Sequence, residues 1–361
     1  MRVLTVNAGS SSLKWSLIET PSLQVLAAGN ESLPPGQEPD LAPVLARAGK
    51  VDAVAHRVVH GGTRFRQTAK IDREVRETLD ALKQVDPLHA PPALQGIDAA
   101  MRAFPGVPEL ACFDTAFHAT ISEAAATYAI PHAWTEKWGL RRFGFHGLSV
   151  THAVRRAPEL VGRPLERMVV LHLGSGCSLT AVQGGKSVDT TMGFTPLEGL
   201  VMATRSGTID PGLMLHVLRE GDLTVDALDH GLERESGLLG VSGVSGDLRE
   251  VLTAAASGNA RAKLAYGVFI VSLRRMLGQM LSALDGLDAL VFTGGIGEHS
   301  APVRRDALAK LGWLEVKLDD AKNASAKPDV DISASEKGPR VLVIEAREDL
   351  TMAREVVAVL G

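Results

Sequence analysis

Six segments of this 361-residue chain set turn glycines and polar side chains directly after apolar runs, where α/β proteins build their sites. The first is Asn7-Ala8-Gly9-Ser10-Ser11-Ser12, followed by Lys14. A glycine-serine turn can aim backbone N–H groups and hydroxyls at phosphate oxygens. Lys14 adds a point charge, and Asn7 offers a neutral oxygen to a hydrated Mg²⁺. Alone, this segment reads as a plain hairpin turn. The second is His56-Arg57-Val58-Val59-His60-Gly61-Gly62, where strand geometry puts Arg57 and Val59 on one face and His56, Val58 and His60 on the other. An arginine beside an apolar side chain suits a small substrate with a carboxylate head and a methyl tail. The histidines lack further ligands nearby, so they read as structural rather than as a zinc site.

The third segment, Cys112-Phe113-Asp114-Thr115-Ala116-Phe117-His118, releases Asp114 at the end of an apolar strand. That position suits a base, a group that orients a nucleophile, or a helix N-cap. In the fourth, Arg141-Arg142-Phe143-Gly144-Phe145-His146-Gly147, a histidine between glycines and beside aromatics is a presented side chain. It could donate a hydrogen bond to charge developing on a transferring phosphoryl group. The fifth runs from Asp189 to Gly199 and resumes at Thr204-Arg205-Ser206-Gly207-Thr208-Ile209-Asp210-Pro211, supplying a second arginine. Two arginines make a clamp for a carboxylate on one side and a phosphoryl group on the other. The sixth, Phe292-Thr293-Gly294-Gly295-Ile296-Gly297-Glu298-His299-Ser300, joins a strand to a helix. There is no G-x-x-x-x-G-K-[ST] sequence and no complete G-x-G-x-x-G after a strand, so a nucleotide would be held by other means.

These segments need elements to position them. Residues 2–7 and the alternating run LKWSLIET predict strand, turn, strand, and MVVLHL-GSGCS-LTAVQ at 168–183 repeats the pattern at an offset of 166. Further strands are expected at 51–59, 108–113, 288–293 and 340–345, near-continuous apolar runs suited to cover on both faces. Helical periodicity covers 71–85, 93–103, 147–156, 211–218, 259–284, 301–311 and 348–359, with Asp349 in the first turn of the last helix. Residues 31–40 and 327–339 have the composition of exposed loops. The mixture is α/β, and the length predicts two domains.

Composition excludes several classes. The formal charge of −4 with scattered Lys and Arg argues against a nucleic-acid surface. No apolar run reaches membrane-span length and no signal-peptide layout opens the chain, so a cytoplasmic protein is expected, with no membrane partner. Cys112 and Cys177 are too few for a disulfide framework.

Taken together, the segments VNAGSSSLK, HRVVHGG, PLHAPP, FDTAFH, FGFHG, MGFTPLEGL, TRSGTIDP, SGVSGDLR, FTGGIGE and REDL resemble the acetate kinase family, within the sugar kinase, Hsp70 and actin superfamily, in the family's order from Asn7 to Glu348. The resemblance implies two ribonuclease H-like domains around an interdomain cleft, 1–118 completed by 347–361, and a nucleotide-binding domain at 119–346. It implies that Asn7 and Glu348 position Mg²⁺, and that Ser12 and Lys14 face the phosphates of ATP. Arg57 and Arg205 would bind carboxylate and phosphoryl group, with Asp114 the acid/base position and His146 the stabiliser of the transition state. The nucleotide would lie against His172, Leu173, Gly174, Ser175 and Gly176, against Asp247, Leu248 and Arg249, and against Gly295, Ile296, Gly297, Glu298 and His299. Val59, Leu88, Phe145 and Pro196 match the pocket for the substrate's alkyl end. A homodimer is also implied.

The chain departs from the family at Ser175 and His299, where asparagines are usual, and at Thr208, where aspartate is usual; it is also shorter than most members. The activity expected is reversible transfer from ATP to acetate. Alternatives are a propionate or butyrate kinase, a pyrophosphate-linked enzyme, or a non-catalytic ATP-binding module.

Overall fold

β-branched and apolar residues build strand β1 (Arg2–Ala8), which turns after Gly9 and returns antiparallel as β2 (Ser12–Glu19). Leu13, Trp15 and Leu17 of β2 are buried and Lys14 is exposed, the alternation its sequence implies. The computed structural model describes residues 1–9, 12–32, 41–84, 89–221 and 223–361. It divides into two units: Met1–Ala119 with Phe145–His152 and Arg347–Gly361, and Thr120–Gly144 with Ala153–Ala346.

In the first unit β1 and β2 join β3 (Gln24–Ser32), β4 (Ala53–Val58), β5 (Ala69–Lys70) and β6 (Glu109–Phe113) in the order β3-β2-β1-β4-β6-β5. Pairing is antiparallel except for β1-β4 and β4-β6, which are parallel. Both faces are covered. Val3, Ala53, Ala55 and Leu110 pack with Met352, Ala353 and Val356 of the C-terminal helix Glu348–Leu360. Leu4, Val6 and Val54 pack on the other face with Ala99 and Ala100 of helix Ala90–Ala103.

The second unit repeats this plan. Strands β7 (Arg167–Leu173), β8 (Cys177–Gln183), β9 (Lys186–Thr190), β10 (Ala289–Thr293), β11 (Val330–Asp331) and β12 (Arg340–Val343) run in the order β9-β8-β7-β10-β12-β11. Only β7-β10 and β10-β12 are parallel, as in the first sheet. Helix Ala260–Ser282 packs against β7 and β8, burying Phe269, Leu273, Leu277 and Met280. It starts at Asn259, whose side chain accepts the Ala262 N–H.

The internal repeat expected at an offset of 166 is present, with a smaller offset. The turns close through Gly9 N–H to Ser12 O (2.9 Å) and Gly174 N–H to Gly176 O (3.0 Å). Gly9 therefore corresponds to Gly174, and the second turn is one residue shorter.

Residues 327–339 are only in part the exposed loop their composition implies: Ala334 to Gly338 are exposed, but the stretch just before them is not. β11 pairs with β12, Ile332 and Ser333 are buried, and Ser333 Oγ accepts the Val341 N–H at 2.8 Å. The 31–40 expectation lies mostly outside the described residues; Glu31 and Ser32 end β3. Among the described residues no helix is long and apolar enough to cross a membrane.

Candidate active site

In the first sheet the parallel strands β1, β4 and β6 end at one edge, and the chemistry-bearing residues sit at those ends: Asn7 in β1, Arg57 in β4, Asp114 directly after β6. Arg57 Nε donates to both Asp114 oxygens (3.2 and 3.1 Å), and Nη2 donates to Oδ2 at 2.6 Å. Its Nη1 lies 2.9 Å from Glu348 Oε2, at the start of the C-terminal helix. Asp114 is 1% exposed, whereas Arg57 and Glu348 are each 18% exposed. Burial opposes the charge on Arg57, and Asp114 and then Glu348 more than offset it, so the guanidinium pKa is raised. The Asp114 carboxylate thus orients Arg57, and the trio carries one positive and two negative charges.

The FGFHG segment is fastened to FDTAFH. Gly147 N–H donates to Asp114 O at 2.8 Å, and a Cβ on Gly147 would lie 2.2 Å from that oxygen, so only glycine fits. His118 Nε2 is 2.9 Å from the Phe145 carbonyl. Burial lowers the His118 pKa to about 4, so near neutrality the ring is uncharged and Nε2–H donates. His146, half-buried, adopts φ +58° immediately before helix Gly147–Val161.

Val59 lines an apolar cavity of about 10 Å³ with His60, Leu82 and Ala90, and the buried Phe145 ring meets His60 edge-on at 5.5 Å. Leu88, Ser10 and Ser11 lie outside the described residues; Ser12 is half-buried and Lys14 exposed. His56 pairs with buried Glu109 at 2.5 Å, a structural role.

The second sheet presents a different set at its matching edge. After β7 the turn Gly174-Ser175-Gly176 is held by Cys177 Sγ to Gly174 O (3.3 Å) and by Ala203 N–H to Ser175 O (3.1 Å). His172 is half-buried, Leu173 buried and Ser175 exposed. After β10, Gly294 has φ +76°, and a Cβ there would lie 2.8 Å from Leu173 O, while one on Gly295 would meet open space. Gly297 and Glu298 are buried, Ile296 is half-buried and His299 exposed; Glu298 Oε1 accepts the Ala346 N–H at 2.9 Å.

Asp247 caps helix Leu248–Ala256 by accepting the Arg249 N–H at 2.8 Å, and the Arg249 side chain folds back on it, lowering the Asp247 pKa to about 2. Leu248 is buried. Arg205 donates through Nε to Glu233 Oε2 at 2.7 Å, and Thr204 Oγ1 donates to the Glu233 carbonyl. At the departure from aspartate, Thr208 Oγ1 accepts the Gly199 N–H (3.1 Å) and Thr208 N–H donates to Gly199 O (2.9 Å). The hydroxyl thus supplies the acceptor the loop needs. Pro196 is half-buried in this unit, on the loop from Gly193 to Glu198.

Sequence reasoning missed Glu233 and Glu198, the carboxylates that hold Arg205 and Arg142. Nothing local marks either; only the MGFTPLEGL motif, which contains Glu198, could have drawn attention to it.

The model of the Acetokinase family matches residues 41–354. The chain is 47% identical to an acetate kinase of Synechococcus sp. (strain JA-2-3B'a(2-13)), covering 98% of each chain, and 41% identical to an acetate kinase of Methanosarcina acetivorans, covering 98% of this chain and 96% of that one. Its fold is similar to that of the Porphyromonas gingivalis acetate kinase (TM-score 0.90, 32% identity, 100% of each chain). It is equally similar to a propionate kinase of Francisella tularensis (TM-score 0.91, 36% identity, 98% of each chain). Identity at this level over nearly whole chains, joined to the fold and its paired strand-end sites, leaves one conclusion: this chain belongs to the acetate kinase family.

Proposed function

We propose that the protein transfers the γ-phosphoryl group of ATP to a short-chain carboxylate, acetate first, giving an acyl phosphate and ADP, and that the reaction runs in both directions. The observation that carries this reading is Arg57, held between Asp114 and Glu348 at the end of β4, two residues before Val59. A fixed guanidinium with an apolar side chain two residues on suits a carboxylate head with a short apolar tail. Acetate is unprotonated near neutrality, so its oxygen is already a nucleophile and Asp114 need not remove a proton. The new bond forms between that oxygen and the γ-phosphorus, and the bond to the β–γ bridging oxygen breaks, releasing ADP. Arg57, Arg205 and His146 are the groups assigned to neutralise charge on the phosphoryl group during transfer.

The glycine turns of the second unit, with Asp247–Arg249, are assigned to the nucleotide, and Ser12 and Lys14 to its phosphates. Val59, Leu88, Phe145 and Pro196 are assigned to the alkyl end. The Arg57 trio leaves one surplus negative charge on oxygen donors, which fits a hard cation. Asn7 and Glu348 would hold Mg²⁺, which when bound would shield the phosphate charges. A homodimer is part of this reading and is checked by light scattering.

Propionate is the second reading, supported by the likeness to a propionate kinase, because one methylene changes selectivity by only about 1–3 kcal/mol. The test is hydroxamate trapping of acyl phosphate from acetate, propionate and butyrate, with Mg²⁺-ATP and pyrophosphate as parallel donors. Acyl phosphate from ATP, highest with acetate, is expected. Product from pyrophosphate alone, or none from folded protein, would overturn the proposal.

A further inference from the structure

The C-terminal helix Glu348–Leu360 turns two carboxylates toward the first sheet, and only one of them belongs to the candidate site. Glu348 meets Arg57 Nη1 at 2.9 Å. Glu355 lies on the same helix face, because seven residues make almost two full turns. Its Oε2 accepts the Thr68 hydroxyl, and the Cys112 thiol hydrogen-bonds to the same carboxylate. Arg57 and Cys112 are register partners in the parallel pair β4-β6, so the two helix carboxylates meet adjacent residues of neighbouring strands. Every one of these residues lies within the first unit.

Between these two contacts the helix rests on apolar packing, with Met352, Ala353 and Val356 against Val3, Ala53, Ala55 and Leu110. That packing presses the helix onto the sheet but is non-directional, so it sets the position along the helix axis only loosely. Hydrogen bonds tolerate a narrow range of lengths and angles and fix that position. Thr351 Oγ1 supplies one, donating to the Leu148 carbonyl at 3.0 Å in the first turn of helix Gly147–Val161, directly after His146. Glu355 supplies the others, one turn further on. Thr68 and Cys112 are both buried, so losing the carboxylate would remove an acceptor that two buried donors share.

We propose that Glu355, Thr68 and Cys112 are positioning residues that fix the C-terminal helix along its axis and thereby set Glu348 against Arg57. This rests on the proposed carboxylate phosphorylation. None of the three is assigned to touch the reacting atoms. With the anchor gone, Glu348 loses its fixed distance to Arg57 Nη1, and the guanidinium loses one of its two carboxylate partners. The loss should therefore act on use of the carboxylate substrate while leaving nucleotide binding close to wild type.

The experiment compares wild type with two disruptive variants, Glu355→Ala and Thr68→Val, and two conservative ones, Glu355→Gln and Thr68→Ser, which keep the acceptor and the donor. It measures kcat and KM for acetate, equilibrium binding of a non-hydrolysable ATP analogue, and hydrogen exchange along helix Glu348–Leu360. Wild-type acyl phosphate formation is the control: without it the functional reading fails, whatever the variants do. With it, Glu355→Ala should lower kcat/KM for acetate about tenfold, and Thr68→Val by a similar factor. Both should bind the analogue within about threefold of wild type, and their C-terminal helix amides should exchange faster. Glu355→Gln and Thr68→Ser should recover acetate kcat/KM to within about threefold of wild type. Should Glu355→Ala fail to fold, Thr68→Val, which keeps the side chain's shape, carries the same comparison. Unchanged acetate kcat/KM in the folded disruptive variants, equal losses for acetate and for the analogue, or no recovery in the conservative variants would overturn the proposal even where thermal stability falls.

Discussion

The two units share one sheet plan, strand for strand, yet they furnish the ends of their parallel strands differently. The first ends in charge, Arg57 and Asp114 beside the neutral Asn7, with Glu348 brought in by the C-terminal helix. The second ends in bare backbone: Gly174, Gly176, Gly294 and Gly295, with Glu298 turned inward to the Ala346 N–H. The difference teaches that the duplicated frame provides only the place. On the proposed reading a carboxylate would meet the fixed cation of the first edge, and a nucleotide the N–H groups and open space of the second.

Substitutions at the two edges should separate these roles, the largest effect first. Arg57→Ala should lower kcat about 10³-fold, as for loss of a donor aimed at developing charge, and Arg205→Ala should do nearly the same. Circular dichroism should show both variants folded. Near-normal turnover in either would break the two-arginine account. At the other edge, Gly294→Ala must strain a left-handed residue and push against Leu173 O, so the KM for ATP should rise at least tenfold while the acetate KM moves little. Equal rises in both would blur the contrast between the edges.

His118 gives a comparison in pH. Its pKa falls from an ordinary 6.5 to about 4 on folding, so between those values the unfolded chain takes up a proton that the native state refuses. The stability associated with the neutral ring is whole above pH 6.5 and drains away as the pH drops to about 4, by roughly 3 kcal/mol. Urea unfolding of His118→Asn should lack this loss; a slope equal to wild type would contradict the assignment. The smallest effect is expected at Thr208→Val, which removes one acceptor for the Gly199 N–H and should cost about 1 kcal/mol with kcat unchanged.

Much of this frame is legible in the sequence because the buried strands are β-branched, apolar and closed by glycine, and because the polar residues follow each strand directly. β3 is not legible: it is an edge strand with little burial, formed by pairing with β2, and Trp15 lies over Gly29, where a Cβ would come within 2.6 Å of the indole nitrogen. β11 escapes notice because Ser333 and Asp331 look like loop residues until Val341 and Arg340 pair with them. In the site, motif residues are readable one by one, but their partners are not. Arg57 meets Asp114 and Glu348 from distant parts of the chain, and Tyr128 meets Glu198 across 70 positions. Such pairings depend on chain topology, which local pattern does not encode.

The most direct test pairs acyl phosphate formation by Arg57→Ala with equilibrium binding of a non-hydrolysable ATP analogue to the same protein. The account predicts that kcat/KM for acetate falls about 10³-fold while the analogue binds within about threefold of wild type. Loss of nucleotide affinity in step with activity, or retention of both, would contradict the division between a charged edge for the carboxylate and a glycine edge for the nucleotide.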